Sequence, residues 1–261
     1  MIIPTEFNSN FSKRTYADVE NRLAECSDHI KSLINYTKNI FDLQNCEKKS
    51  FLDIGSGPGF IARALNEFFG EVTVVDPNSD YISNYEELSK NSKFQYIIGN
   101  FQDIEFNKKY NNILCSHMLY HVPKNEWKCL LLKMKQLLEL DGSALILLVS
   151  PQGSFHELCT KINANFSHSG VLCATLKDAK IEHSVEYEKN IYTETNRKNF
   201  SDLVHIFAID DCYLPEEYKN LSIAKKLEIE NLIESYINSC FIHEKGTYES
   251  TIYSAMVLIS S

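Results

Sequence analysis

Asp53 is followed at alternate positions by Gly55, Gly57 and Gly59, and a second carboxylate, Asp76, stands further on. Glycine permits positive φ and lets a ligand approach the backbone. A carboxylate can face a cationic group or accept both hydroxyls of a ribose. A second constellation, His117, Tyr120 and His121, directly follows Ser116. Such polar rings can orient a nucleophile or take its proton. The eight cysteines are scattered, with no Cys-x-x-Cys pair and no metal-ligand spacing, so no metal site is predicted.

The elements that must carry these residues are legible around them. Ser50 to Ile54 is a short apolar stretch with Asp53 inside it, a buried strand that runs into the glycine turn. From Phe60 the spacing becomes helical, with Phe60, Ile61, Ala64, Leu65, Phe68 and Phe69 on one face and Gly70 as a stop. Glu71 to Val75 reads as the next strand and ends at Asp76. A ligand cradled by this turn therefore meets Asp53 at one end and Asp76 at the other. A dinucleotide brings a pyrophosphate to a helix N-terminus and gains nothing from a carboxylate there. S-adenosylmethionine carries no phosphate; its methionyl ammonium and sulfonium suit Asp53, directly or through water, and its ribose suits Asp76.

Leu52-Asp-Ile-Gly-Ser-Gly-Pro-Gly59 with Val74-Val-Asp-Pro77 resembles the first motif and its acidic follower in class I S-adenosylmethionine-dependent methyltransferases. The resemblance implies S-adenosylmethionine as cofactor and S-adenosylhomocysteine as product. In that family the loop after the third strand holds the adenine. Here it is Gly99-Asn-Phe-Gln-Asp103, with Phe101, Gln102 and Asp103 as candidates, and Ser116 ends the fourth strand beside the cofactor.

The remainder reads as an α/β fold, a Rossmann-like, seven-stranded, mostly parallel sheet whose last strand is antiparallel. Tyr16, Val19, Leu23, Cys26, Ile30 and Leu33 recur at helical spacing, with a break near Ser27-Asp28. Residues 1–49 are thus an N-terminal helical cap that could bring Arg14 and Tyr16 to the substrate, and 50–261 the cofactor-binding domain. Further strands are expected at Phe94–Ile98, Asn112–Ser116, Ser143–Ser150, Ile181–Lys189 and Tyr248–Ile259. A helix after Pro123 carries Trp127, Leu130, Leu131, Met134, Leu137 and Leu138 and ends at Asp141-Gly142; others are expected at Phe155–Phe166 and from Leu176. Before the last strand, about 192–246 is too long for a hairpin loop. It holds a helix near Ser222–Cys240 and reads as an inserted substrate lid.

Methyl transfer needs a nucleophile about 3 Å from the methyl, in line with the departing sulfur and away from water. His117, Tyr120 and His121, with Arg14 and Tyr16 from the cap, are the candidate catalytic residues. Val74 to Leu88, His117-Met-Leu-Tyr-His-Val122, Leu147-Leu-Val-Ser150 and Phe11-Ser-Lys-Arg-Thr-Tyr16 resemble histamine N-methyltransferases. In that family a glutamate grips the ligand ammonium; its place falls at or beside His29, with Asp28 adjacent, and an asparagine contact falls near Ser250 or Thr251. Replacing that anchor with histidines, and keeping Arg14, suits an anion better than an ammonium. This is similar to carboxyl-methylating enzymes of peptide natural-product pathways, such as those acting on lanthipeptides. The acceptor read first is therefore a carboxylate, on a peptide C-terminus or a small acid. N-methylation of a small amine or imidazole is the alternative, and a non-catalytic cofactor-binding module a third.

The 261 residues suffice for one large α/β domain with additions. The net charge of −9 argues against nucleic acid. The longest strongly apolar run, Ala144 to Val149, is far too short to span a bilayer. With no leader read at Met1-Ile-Ile-Pro and no disulfide pattern, a monomeric cytoplasmic protein with reduced thiols is expected.

Overall fold

The computed structural model describes residues 22–23, 25–42, 45–90 and 93–261. Arg14, Tyr16 and Val19 lie outside the described residues. The first described helix, α1 (His29–Ile40), leads to β1 (Ser50–Ile54), α2 (Phe60–Leu65), β2 (Glu71–Asp76), α3 (Ile82–Ser89), β3 (Phe94–Ile98) and β4 (Tyr110–Ser116). Then follow α4 (Lys124–Gln136), β5 (Leu138–Val149), α5 (Gly153–Ile162), α6 (Ser169–Asp178) and β6 (His183–Glu194). Three helices, α7 (Arg197–Asp210), α8 (Pro215–Lys219) and α9 (Ile223–Ser239), precede β7 (Phe241–Ile242) and β8 (Thr247–Ser260).

The sheet order is β3-β2-β1-β4-β5-β8-β6, with the short β7 paired to β8. β1 to β5 are mutually parallel; β8 runs antiparallel to both β5 and β6. This is the predicted Rossmann-like α/β sheet, with β7 added at its margin. The central strands are buried on both faces. Phe51, Val74, Leu114 and Leu145 face a core shared with Leu33 of α1 and Leu65 of α2. Leu52, Ile54, Cys115 and Ile146 face the opposite core, with Trp127 and Leu131 of α4 and Phe200 of α7.

Strand order reverses between β1 and β4, and a crevice opens beyond the carboxyl ends of strands at such a point. The register aligns those ends: Ile54 lies opposite both Val75 and Cys115, and Asp76 opposite Ile98. Gly55, Asp76, Gly99 and Ser116 consequently emerge side by side.

Several boundaries differ from the sequence reading. The helix after Pro123 stops at Gln136, and Leu138 opens β5 instead of extending the helical face. The Tyr110 N–H donates to the Leu137 carbonyl at 2.7 Å, which draws this segment into the sheet. Leu176 lies near the end of α6 and does not start a helix. That helix starts earlier because the His168 side chain accepts the Gly170 N–H. α5 ends at Ile162, short of Phe166, and β6 runs on to Glu194. The insertion holds three helices where one was expected. Asn196 caps the unforeseen α7 by accepting the N–H groups of Lys198 and Asn199. In the cap, Asp28 does not cap α1 with its side chain; its carboxylate accepts the Ile191 N–H of β6 at 3.0 Å. No described helix is long and apolar enough to cross a membrane.

Candidate active site

Two cavities meet at the carboxyl ends of β1 and β4. One lies over β2 and β3 and is lined by Asp76, Gly99, Phe101, Gln102, Asp103 and His121, among others. The second lies toward α1, β6 and the insertion. They share Gly55, Gly57, Ser116 and His117. Asp53 lines only the second, so a ligand held by both Asp76 and Asp53 would run from the first cavity into the second.

The glycine turn has the conformation that its composition predicts. Gly55, Gly57 and Gly59 have φ of 69°, 54° and 79°, values that L side chains adopt only with strain. At Gly55 a Cβ would also collide with Cγ of Met118. Asp53 is 2% exposed, and its Oδ2 accepts the Ser56 hydroxyl at 2.9 Å. Burial pushes its carboxyl up to about 7, the Ser56 bond opposes this, and Asp76 adds to it. An entering ammonium would give this carboxylate the cation it lacks among the described residues. Asp76 accepts the Gly57 N–H through Oδ2 and the Asn78 N–H through Oδ1, both at 2.8 Å. Burial raises its carboxyl as well, against those two bonds. The oxygens keep lone pairs for a ribose diol.

The 99–103 loop, expected to hold the adenine, is fastened from behind. Lys133 of α4 donates to the carbonyls of Phe101, Gln102 and Ile104 at 2.7, 2.9 and 2.6 Å. Phe101 is buried; Asp103 is exposed and accepts Asn100 Nδ2 at 3.0 Å. This donor set fits S-adenosylmethionine: a carboxylate for the ammonium, one for the ribose, a backbone cradle between them and an aromatic in the loop expected to hold the base.

The predicted catalytic cluster is divided by the structure. His117 stands at the junction of both cavities with φ of 54°, a left-handed conformation stored where β4 ends. Its backbone N–H donates to the Leu147 carbonyl at 3.0 Å, and its buried Nε2 has no hydrogen-bond partner among the described residues. Burial, and secondarily the neighbouring His29, pushes its imidazole down to about 3, so it is neutral. His29 meets it edge to face, ring centroids 5.1 Å apart, and pairs Nδ1 with Asn190 Oδ1 at 3.2 Å. Tyr120 lines neither cavity. It is buried, and its hydroxyl accepts the Val149 N–H at 2.6 Å. His121 lines only the first cavity, with Nε2 3.8 Å from Asp210 of α7. Neither Asp28 nor Ser250 lines the second cavity; Ser250 shares a hydrogen bond of 2.6 Å with the Tyr236 hydroxyl. Arg14 and Tyr16 lie outside the described residues.

The second cavity also contains residues that sequence reasoning missed. Leu23, Ile30, Phe60, Phe155, Phe207 and Ile252 give it apolar walls, and Asn190, Asp211 and Ser254 are among its polar groups. Phe207 and Asp211 come from α7 and its C-terminal cap, the inserted helix that was not predicted. Its signal was present in Phe200, Leu203, Val204 and Phe207 after Asn196.

Residues 51–142 match the methyltransferase domain family. The chain is 32% identical over 114 residues to an uncharacterized methyltransferase of Staphylococcus carnosus, a match covering 44% of this chain and 54% of the relative. The chain thus spans about half the length of that curated relative. A cyclopropane-fatty-acyl-phospholipid synthase-like protein of Lactobacillus casei superposes with a TM-score of 0.60 at 13% identity, over 92% of this chain and 99% of that one. Geranyl diphosphate C-methyltransferase of Streptomyces coelicolor, solved with S-adenosyl-L-homocysteine, superposes with a TM-score of 0.53 at 15% identity, over 97% and 86%. The family match and the shared fold agree with the turn, the two carboxylates and the strand order: residues 51–142 match a methyltransferase domain, set in a Rossmann-like fold of the class I methyltransferase kind.

Proposed function

We propose that the protein transfers a methyl group from S-adenosylmethionine to a small acceptor held in the cavity between α1, β6 and the insertion. One observation carries this reading: the cofactor cavity and the second cavity meet at Gly55, Gly57, Ser116 and His117. When bound, the cofactor supplies an activated methyl on a sulfonium. The chain supplies placement and dryness. The apolar walls exclude water from the junction, and His117 stands where a nucleophile has to be oriented.

The nature of the acceptor follows from the charges. The carboxylate reading of the sequence relied on His117, His121 and Arg14 as an electropositive group. His121 faces the cofactor cavity, His117 is held neutral, and Arg14 lies outside the described residues. Among the described lining residues of the acceptor cavity there is no lysine or arginine. A carboxylate entering it would lose its hydration without gaining a described cation. A nitrogen nucleophile fits better. A neutral imidazole can accept a hydrogen bond from an N–H and leave the nitrogen lone pair aimed at the methyl. We therefore put N-methylation of a small amine or imidazole ahead of O-methylation of a small acid or peptide carboxylate. In either case the acceptor's lone pair forms the new bond to carbon and the sulfur keeps the pair of the broken one. A nitrogen acceptor in addition releases one proton.

The test is transfer of labelled methyl to a panel of amines, imidazoles, small acids and short peptides, followed by mild alkali. Label that survives alkali supports the nitrogen acceptor. Label released as methanol marks a methyl ester and favours the carboxylate. Cofactor binding without transfer to any member of the panel would mark a binding module and sink the catalytic reading.

A further inference from the structure

Asp211 is an acidic group of the acceptor cavity contributed by the insertion, and nothing described in the protein answers its charge. It caps the C-terminus of α7, its N–H donating to the Phe207 carbonyl at 3.0 Å. That is the end of a helix at which a negative charge is disfavoured. Among the described residues its carboxylate takes part in no hydrogen bond or ion pair. Asp210, immediately before it, is directed to His121 at 3.8 Å. Burial, with Asp210 alongside, holds the Asp211 carboxyl well above the usual carboxylate range. A half-buried carboxyl at an unfavourable helix end, without a partner among the described residues, contributes nothing to the fold that a neutral residue would not.

A second observation points to a ligand there. Ser254 lines the same cavity, is 1% exposed, and its Oγ is buried with no hydrogen-bond partner among the described residues. His117 Nε2 is orphaned in the same way. Buried polar atoms are paired in folded proteins with few exceptions. Such orphans, with the Asp211 carboxyl, around an apolar chamber suit an apolar body bearing a hydrogen-bonding, cationic head.

Building on the nitrogen-acceptor reading above, we propose that Asp211 is the group that recognises the acceptor, selecting molecules that carry an ammonium on an apolar body. Entry of such a head gives the carboxylate a charge-assisted hydrogen bond in a dry setting. An anionic head of the same size would instead face a like charge or force Asp211 to stay protonated, so one side chain both favours amines and rejects acids. Phe155, Phe207 and Ile252 would hold the hydrocarbon portion.

The test compares three head groups on one body. The full chain, saturated with S-adenosylhomocysteine, is titrated with phenethylamine, phenethyl alcohol and phenylacetate. Phenethylamine is expected to bind tightest. Asp211→Asn should weaken it by about tenfold or more while leaving the affinities for phenethyl alcohol and S-adenosylhomocysteine unchanged. The S-adenosylhomocysteine affinity separates lost recognition from lost folding. Asp211→Glu should keep the preference for the amine. An Asp211→Asn variant that binds phenethylamine as the wild type does would overturn the proposal. So would a wild-type protein that fails to bind phenethylamine or prefers phenylacetate. Methyl label found on nitrogen together with an indifferent Asp211→Asn would overturn this assignment alone; label found only on oxygen would overturn the nitrogen reading as well.

Discussion

The Asp76 carboxylate accepts the backbone N–H of Gly57 at 2.8 Å, closing two motifs nineteen residues apart onto one another. The residue read as the ribose acceptor is therefore also a brace for the turn that cradles the rest of the ligand. Asp76→Ala removes both functions. Hydrogen bonds to charged groups contribute about 1.5–3 kcal/mol each, so S-adenosylmethionine affinity should fall by about tenfold to a hundredfold or more. Asp76→Asn keeps one acceptor but turns an amide donor toward one of two N–H groups, and should fall between. Calorimetric titration measures both. Unchanged affinity in Asp76→Ala would remove the cofactor from this crevice.

What could be read from sequence divides along a physical line. Asp53, the three glycines, Asp76 and the 99–103 loop are local: each lies at a strand end, and parallel pairing alone brings them together. The acceptor side is not local. Asp211 and Phe207 reach the cavity only because the insertion folds back over the sheet, and no periodicity reports that distance. Tyr120 and His121 follow His117 closely in the chain, but a single turn of 3₁₀ helix at Leu119–His121 sends them to different surroundings. Spacing placed all three at the end of β4; only packing decided that His117 alone faces both cavities.

Asp53 predicts how cofactor binding responds to pH. Its carboxyl titrates near 7 in the folded protein, above the ordinary carboxylate value. A native state that holds this proton longer than the unfolded chain loses stability as pH rises from the ordinary carboxylate range toward 7. An ammonium partner requires the ionised form, so the cofactor has the opposite dependence. The rise in melting temperature caused by S-adenosylmethionine should be small near pH 5.5 and should grow through neutrality, reaching a plateau by about pH 8. Thermal unfolding with and without cofactor across that range measures it. Asp53→Asn should flatten the dependence. A stabilisation that is constant with pH in the wild type would separate Asp53 from the cofactor ammonium.

His117 should govern turnover without governing cofactor affinity. Asparagine is the appropriate replacement because it tolerates the left-handed conformation at this position, where alanine would add backbone strain to the lost ring. His117→Asn is expected to lower kcat on a nitrogen acceptor by about a hundredfold, the scale of a misplaced nucleophile, with S-adenosylmethionine affinity preserved. The wild-type imidazole is pushed down to about 3, so the rate should show no inflection from its titration near neutrality. Loss of cofactor binding in His117→Asn would assign the ring to the other ligand.

Tyr120 separates a structural role from a catalytic one. Its hydroxyl accepts the Val149 N–H at 2.6 Å, and the ring stacks between His117 and Phe166 with centroids 6.0 and 6.1 Å away. Tyr120→Phe keeps the stack and leaves a buried N–H unpaired at the end of β5. Leaving such a group unsatisfied costs about 1–3 kcal/mol, which should appear in full as reduced stability in urea unfolding. The kcat should stay close to that of the wild type, because the hydroxyl is committed to the backbone and lines neither cavity. A variant with native stability and a collapsed kcat would return Tyr120 to the reaction and would mean that its bond to Val149 is exchanged for the acceptor when the cavity fills.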